Sequence, residues 1–416
     1  MPAKNPANYV LACSSCKKEC DEKRFHNLCP RCGEALEAVF DYKKIKSRLN
    51  VFDLRSAPQA ALKYLDFFPI RDLEKVVTLQ EGGTPLYHAE KLGKKYGLKN
   101  LYVKNEGANP TCVFKDRGTL VEITKAVELG AKAVIVASSG NMAASVAAYS
   151  AKAGLPCYVL VPVETPVGKL VQMLEYGAHV IKIRGQYSDC VHLVHKLAPL
   201  HKLYLAGDYV FRREGQKSLA YEVCEQLDHN APDTVIVPTG AGTHLAGIWK
   251  GFKEYRELGL VSGLPRMVGV QAEGAAVLAE AFEKGSRTYK PWKKTQTICS
   301  AVAVADPIDG KLALKAVHES KGAILSLSDE EALKAQKSLA GSEAIFCEPS
   351  SALAIAALPH LLKKKLIKKT DTVVCVATGN GLKDPMTPLQ NLPSPPTLEA
   401  DLKVVSRYLK ARVKRS

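Results

Sequence analysis

Apolar and polar positions fall along this chain in blocks of two kinds. Short apolar runs at 133–137 (Ala-Val-Ile-Val-Ala), 157–161, 180–183, 234–238, 267–271 and 372–376 have the length and β-branched content of buried strands. Between them, 142–153, 167–176, 189–197, 215–228 and 244–256 repeat their apolar residues at helical spacing. Strand–helix alternation over ~300 residues predicts an open, mostly parallel α/β architecture, with ligands at the carboxyl ends of strands. No fixed-period repeat interrupts it.

Three loops occupy predicted strand ends. Ser138-Ser139-Gly140-Asn141 leaves backbone amides free at a helix start, which suits a carboxylate; it also reads as a plain βα turn capped by Ser. In Pro238-Thr239-Gly240-Ala241-Gly242-Thr243-His244, two glycines and a hydroxyl can cradle a phosphate against the helix dipole, although Gly-x-Gly alone is a weak signal. After the last strand, Thr378 opens Thr378-Gly379-Asn380-Gly381-Leu382-Lys383-Asp384-Pro385 and could offer a hydroxyl to a pyridine nitrogen. Lys115 lies in Asn109-Pro110-Thr111-Cys112-Val113-Phe114-Lys115-Asp116-Arg117-Gly118, between a turn and an apolar-periodic helix, where desolvation activates an amine. A lysine amine, phosphate donors and a partner for a ring nitrogen are what a pyridoxal-phosphate enzyme requires of its chain.

With 416 residues, 46% of them hydrophobic, the chain can bury a large core and should divide into two or three domains. It has no stretch of ~18 uninterrupted apolar residues and its start lacks a signal peptide's apolar core, so a cytoplasmic protein without membrane association is expected. The net charge of +16 raises nucleic acid as a partner. Much of the excess sits in a helix-like run at 363–369 and in the tail 403–415, and no aromatic-interleaved motif accompanies it. Solvated basic faces that attract an anionic substrate are the expectation, with no nucleic-acid partner.

Of twelve cysteines, seven stand singly at 112, 157, 190, 224, 299, 347 and 375, mostly in apolar runs where Cys acts as a small hydrophobe. The other five crowd the first 32 residues. Cys13-Ser-Ser-Cys16 and Cys29-Pro-Arg-Cys32 are two CxxC pairs whose four thiolates suit tetrahedral zinc, with Gly33 at the knuckle turn and Cys20 and His26 as spares. Four thiolates leave no open position for water, so the zinc site would be structural.

Taken in order, these elements resemble the threonine synthase family, pyridoxal-phosphate enzymes of the tryptophan-synthase-β-like fold (fold type II). The likeness runs through Glu81-Gly-Gly-Thr-Pro85, the lysine run, Ser-Ser-Gly-Asn, Arg213-Glu214-Gly215-Gln216-Lys217, Gln271-Ala-Glu-Gly-Ala-Ala276, Cys347-Glu348-Pro349-Ser350-Ser351-Ala352 and the Thr378-Gly379 element. It implies an α/β fold of two open parallel-sheet domains preceded by a small zinc-ribbon-like module. The expected limits are 1–50 for the module and linker, 51–125 with 205–390 for the large cofactor domain, 126–204 for a small mobile domain, and 391–416 for a basic tail. It further implies a Schiff base at Lys115, the catalytic residue, with Phe114 flanking the cofactor and Asn141 on its phenolic oxygen. Gly240, Ala241, Gly242 and Thr243 would bind its phosphate, and Thr378 its ring nitrogen. Ser138, Ser139, Asn141 and Met142 would line the substrate carboxylate site, and a homodimer is implied.

Four positions depart from the family on the substrate side. Met142 replaces a Thr, and Ala206-Gly207-Asp208-Tyr209-Val210 replaces an Asn-Ser-x-Asn-Pro stretch. Ala241 and His244 replace asparagines, and Ala303 replaces an arginine. Losing that guanidinium would cost about 1.5–3 kcal/mol per charge-assisted hydrogen bond to a substrate phosphate, and Lys169, Arg184, Arg212 or His244 are candidates to compensate. Threonine synthesis from O-phospho-L-homoserine and water is the leading expectation. The alternatives are replacement at Cβ of O-phosphoserine by sulfite or sulfide, or serine/threonine deamination. Nucleic-acid binding, from a different class, would collapse with rising salt.

Overall fold

The computed structural model describes residues 9–165, 167–390 and 392–413; the start of the chain, where a signal peptide's apolar core is sought above, and Lys414 and Arg415 of the basic tail lie outside the described residues. One compact unit closes at Asp384 and a second begins at Pro385. The second contains the helices Met386–Leu389 and Leu402–Val413.

The first unit holds three sheets. Strands β1 (Tyr9–Cys13), β2 (Glu19–Cys20) and β3 (Leu36–Phe40) form an antiparallel sheet in the order β2-β1-β3. Strands β4 (Leu86–His88), β5 (Asn100–Asn105), β10 (Thr234–Pro238), β11 (Arg266–Ala272), β12 (Ala323–Leu327) and β13 (Thr372–Ala377) form a six-stranded sheet in the order β12-β11-β10-β13-β5-β4. It is parallel except for β4, which runs antiparallel at one edge. Strands β6 (Val134–Ala137), β7 (Cys157–Pro162), β8 (His179–Ile183) and β9 (Tyr204–Leu205) form a parallel sheet in the order β8-β7-β6-β9. All four residues of β6 and all five of β10 are buried, the signature of strands covered by helices on both faces.

Every strand expected from the sequence is present, and the expected helices appear as Asn141–Lys152, Val167–Glu175, Tyr187–Leu200 and Thr243–Glu257. The expected helix 215–228 starts earlier and is divided, as Val210–Gln216 and Ser218–Gln226 on either side of Lys217. The basic run 363–369 is not helical: the helix Leu358–Lys363 ends there, and Lys365 takes a left-handed turn at φ 55°. Strand β5 escapes the apolar pattern because Lys104 stands in it, fully buried, with Nζ 2.9 Å from Glu222 Oε2.

Candidate cofactor cleft and four-cysteine centre

Lys115 opens the helix Lys115–Glu128, and the turn before it is fixed from both sides. Cys112 adopts φ 65°; its amide donates to the Asn109 carbonyl (2.8 Å) and its carbonyl accepts from Asn380 (3.0 Å). Asp116 accepts from the Thr111 amide (2.7 Å) and hydroxyl (2.6 Å) and from the Ser145 hydroxyl (2.6 Å). The helix then lies against Val210–Gln216 so closely that a Cβ on Gly215 would stand 2.0 Å from the Arg117 carbonyl, and one on Gly118 2.5 Å from Arg212 Cγ. Backbone contact at that crossing explains why both positions are glycine.

The candidate residues converge here. The Phe114 amide donates to the Thr378 carbonyl at 2.9 Å, which places the start of the lysine helix on the end of β13. The Phe114 ring lies 4.0 Å, centroid to centroid, from that of His244 in the glycine loop. Thr378 and Ser351 share a buried hydroxyl–hydroxyl bond of 2.7 Å, and Ser351 also accepts from the Gly379 amide (2.9 Å). Asn141 donates to both oxygens of Glu348 (3.2 and 3.0 Å), whose amide donates to the Gly379 carbonyl (3.0 Å). Gly140, with no side-chain cap, precedes the helix at Asn141, so Ser138 serves the loop instead, accepting from the Gly140 amide at 3.3 Å. Ser139 is half-buried in this loop.

The charges sort sharply. Lys115 Nζ donates to Asp208 Oδ1 at 2.8 Å, both side chains about 15% exposed (15% and 14%). Burial pushes the Asp208 carboxyl up, but Lys115 and then Arg212 outweigh it and hold it below its ordinary range. Burial, followed by the charges of Lys115 and Arg117, drives His244 well below the ordinary imidazole value and keeps the ring neutral. Burial raises Glu348 against the Asn141 bond and Lys383. Asp208, Glu348, Ser351 and Lys383 thus belong to the site. The sequence placed each inside a motif without assigning it a role, because no local spacing links them to Lys115.

The departing positions also find places. Arg212 cannot grip a substrate: it is fully buried, paired with Glu122 and bonded to Thr119 Oγ1 (2.9 Å) and the Gly207 carbonyl (3.0 Å). Arg184 is exposed, and neutral His244 carries no charge to offer. Lys169 remains, its Nζ 3.3 Å from Ser300 Oγ on the turn that carries Ala303. Met142 is half-buried and packs against the main core.

Cys13, Cys16, Cys29 and Cys32 meet at one point, their sulfurs all within 4.8 Å of one another, with Cys13–Cys32 at 3.5 Å and Cys16–Cys29 at 3.7 Å. A tetrahedron of thiolates at ~2.3 Å from a metal has edges of ~3.8 Å, so the cluster could hold a metal ion. Amides of Cys16 and Arg31 donate to Cys13 and Cys29 sulfurs (3.4 Å each), and Gly33, at φ 73°, makes the turn after Cys32. Arg213 joins this module to the cleft: it donates to the Leu36 carbonyl in β3 and to Asp309 (2.6 and 2.7 Å). The Asp309 amide in turn donates to the Ala241 carbonyl at 3.0 Å.

Residues 77–379 match the family described as pyridoxal-phosphate dependent enzyme, and the chain belongs to that family. Within it the chain is 44% identical over 400 residues to a threonine synthase of Methanocaldococcus jannaschii, covering 96% of this chain and 98% of that one. It is 39% identical over 408 residues to a threonine synthase of Methanosarcina acetivorans, covering 98% and 100%. Solved structures share the fold at lower identity: diaminopropionate ammonia lyase of Escherichia coli has a TM-score of 0.65 at 18% identity, covering 76% of this chain and 88% of that one. Maize serine racemase has 0.63 at 20%, covering 80% and 93%.

The cleft fits pyridoxal phosphate. Among the described residues, the amides of Gly240, Ala241 and Gly242 make no hydrogen bond within the chain, and both ring nitrogens of buried His244 lack partners. They cluster at the start of the 15-residue helix Thr243–Glu257, where free amides and the helix dipole favour a phosphate.

Proposed function

We propose that this chain is a threonine synthase, making L-threonine and phosphate from O-phospho-L-homoserine and water. Near full-length identity to threonine synthases carries the reading, with Lys115 set at the head of its helix beside the glycine loop and Thr378.

Pyridoxal phosphate, when bound, supplies an electron sink that makes substrate carbon protons removable. Lys115 would hold it covalently and then take and return protons through Nζ. Gly240, Ala241, Gly242 and Thr243 would bind its phosphate, and Phe114 would flank its ring. Asn141 uses amide hydrogen on Glu348 but has a second N–H for the phenolic oxygen. Thr378 has one proton to give, so Ser351 must donate to Thr378 for that proton to reach the ring nitrogen. Ser138, Ser139 and Asn141 would receive the substrate carboxylate beside Met142, and Lys169 would supply charge where Ala303 has none.

Further parts of the reading are proposals of the same kind. The metal at Cys13, Cys16, Cys29 and Cys32 is structural zinc. The enzyme is a cytoplasmic homodimer; no described helix is long and apolar enough to cross a membrane. Residues 126–204 move as a small domain against 51–125 with 205–390, a division supported by the separate four-stranded and six-stranded sheets.

Purified protein with pyridoxal phosphate should absorb in the visible and release phosphate from O-phosphohomoserine. Lys115→Ala should abolish both activity and covalent cofactor attachment. Turnover of O-phosphoserine with sulfite or sulfide, and none of O-phosphohomoserine, would replace threonine synthesis by replacement at Cβ.

A further inference from the structure

Asp208 stands where nothing in the reading so far uses it, and its position is built rather than incidental. Among the described residues it is the carboxylate that bonds Lys115 Nζ, at 2.8 and 3.2 Å through its two oxygens. Its loop is held on each side. The Ala206 amide donates to Ile135 in β6 (3.0 Å), and the Gly207 amide donates to Glu122 Oε1 (2.8 Å). The Gly207 carbonyl accepts from Arg212 Nε (3.0 Å), and the Tyr209 hydroxyl bonds His195 Nε2 (2.9 Å). The buried Arg212–Glu122 pair anchors that loop to the same helix that Lys115 begins. The backbone that carries the carboxylate is therefore fixed beside the amine by several bonds of its own.

The charges around Asp208 come from every element that faces it. Lys115 and Arg212 favour its ionised form and the neutral His244 ring faces it, while Glu122, Asp309, Tyr187 and Tyr209 are acids that feel its charge. An ionised carboxylate 2.8 Å from a nitrogen stabilises the protonated form of that nitrogen.

We propose that Asp208 is a positioning residue for the reaction, holding Lys115 Nζ on one side of the cleft and stabilising a proton there while Lys115 carries the cofactor, and again once the released Nζ has taken a proton from the substrate. The proposal rests on the reading of Lys115 as the cofactor lysine. Asp208 itself takes no proton and bonds to no carbon: the proton that Nζ takes from a substrate C–H bond stays on Nζ, paired with the carboxylate, until Nζ returns it to a substrate carbon.

The test uses full-length protein reconstituted with pyridoxal phosphate, as wild type, Asp208→Asn and Asp208→Glu. It reads the pH midpoint of the visible absorbance change together with the pH profile of kcat/KM. Asp208→Asn is nearly isosteric and removes the charge, so the absorbance midpoint should fall by about 1–3 pH units, the usual effect of an opposite charge at this range. Asp208→Glu should return it towards wild type. If Asp208→Asn fails to fold, Asp208→Ser carries the same comparison. An Asp208→Asn midpoint equal to wild type, with cofactor bound, overturns the proposal alone. A wild type that shows no cofactor absorbance, or a Lys115→Ala variant that keeps it, overturns the cofactor reading and the proposal with it.

Discussion

Lys115 and Arg117 stand two residues apart at the start of one helix and live in opposite chemistries. Arg117 is fully buried and its guanidinium is saturated: Nε and Nη2 bond Glu106 (2.6 and 2.8 Å), and Nη1 and Nη2 bond Glu222 (2.7 Å each). Thr84 (3.0 Å) and Ser218 (3.2 Å) accept the remainder, and Lys104 neutralises Glu222 from the other side. Lys115 has Asp208, and among the described residues the ring nitrogens of His244 across the cleft have no hydrogen-bond partner. Burying charge is tolerable only when each ion is paired and bonded, so the floor of the site is the part of the molecule with nothing left to offer a ligand. What faces the cleft is what was left under-bonded.

The contrast can be broken most violently from the floor. Arg117→Met leaves Glu106 and Glu222 buried with their main partner gone, and removing one side of a buried pair typically costs about 3–5 kcal/mol. Chemical denaturation should show that loss directly. A variant as stable as wild type would mean that the ion network is ornamental and that packing alone sets the helix start.

From the cleft side, Gly242 offers a narrower break. It sits at φ 86°, and a Cβ there would lie 2.9 Å from the Asp309 carbonyl and 3.0 Å from Ala313 Cβ. Gly242→Ala pays backbone strain of about 1–3 kcal/mol and displaces the loop whose amides are free. Titration with pyridoxal phosphate should show affinity weaker by about one to two orders of magnitude. Unchanged affinity would remove the loop from the phosphate site.

The same division between paired floor and open cleft explains what could be read from sequence. Strands such as β6, β10 and β13 are apolar on both faces, so their runs stand out, and Lys115, the glycine loop and Thr378 lie at element ends where motif and turn coincide. The four cysteines were legible because CxxC spacing is local geometry. Strand β5 was not, since Lys104 breaks its run and is explained by partners outside the strand, the Thr84 carbonyl and, 118 and 122 residues away, Glu222 and Gln226. Asp208 and Glu348 were missed for the same reason: their partners Lys115 and Asn141 lie 93 and 207 residues off, and no periodicity encodes such pairs. The basic run at 363–369 looked helical because charge spacing does not reveal the left-handed turn at Lys365.

The mildest break concerns His244, and its sign follows from the direction of its shift. Burial first, then Lys115 and Arg117, hold the folded imidazole well below its ordinary value, so the native ring stays neutral while an unfolded one protonates near pH 6.5. The unfolded chain therefore binds the extra proton, and native stability falls as pH drops below about 6.5. By pH 5.5 this one group should cost about 1.4 kcal/mol. His244→Asn cannot titrate, so thermal unfolding of the apoprotein across pH 5 to 7 should fall less steeply than in wild type, whatever the substitution does to stability at pH 7. Parallel slopes would mean that the His244 ring is charged in the folded chain and that the cleft holds a cation beyond Lys115. A bound phosphate group would change the balance in the opposite direction, because an anion against the ring raises its proton affinity. The difference in slope should therefore shrink when pyridoxal phosphate is present, and that shrinkage separates a histidine facing the cofactor from one that is merely buried.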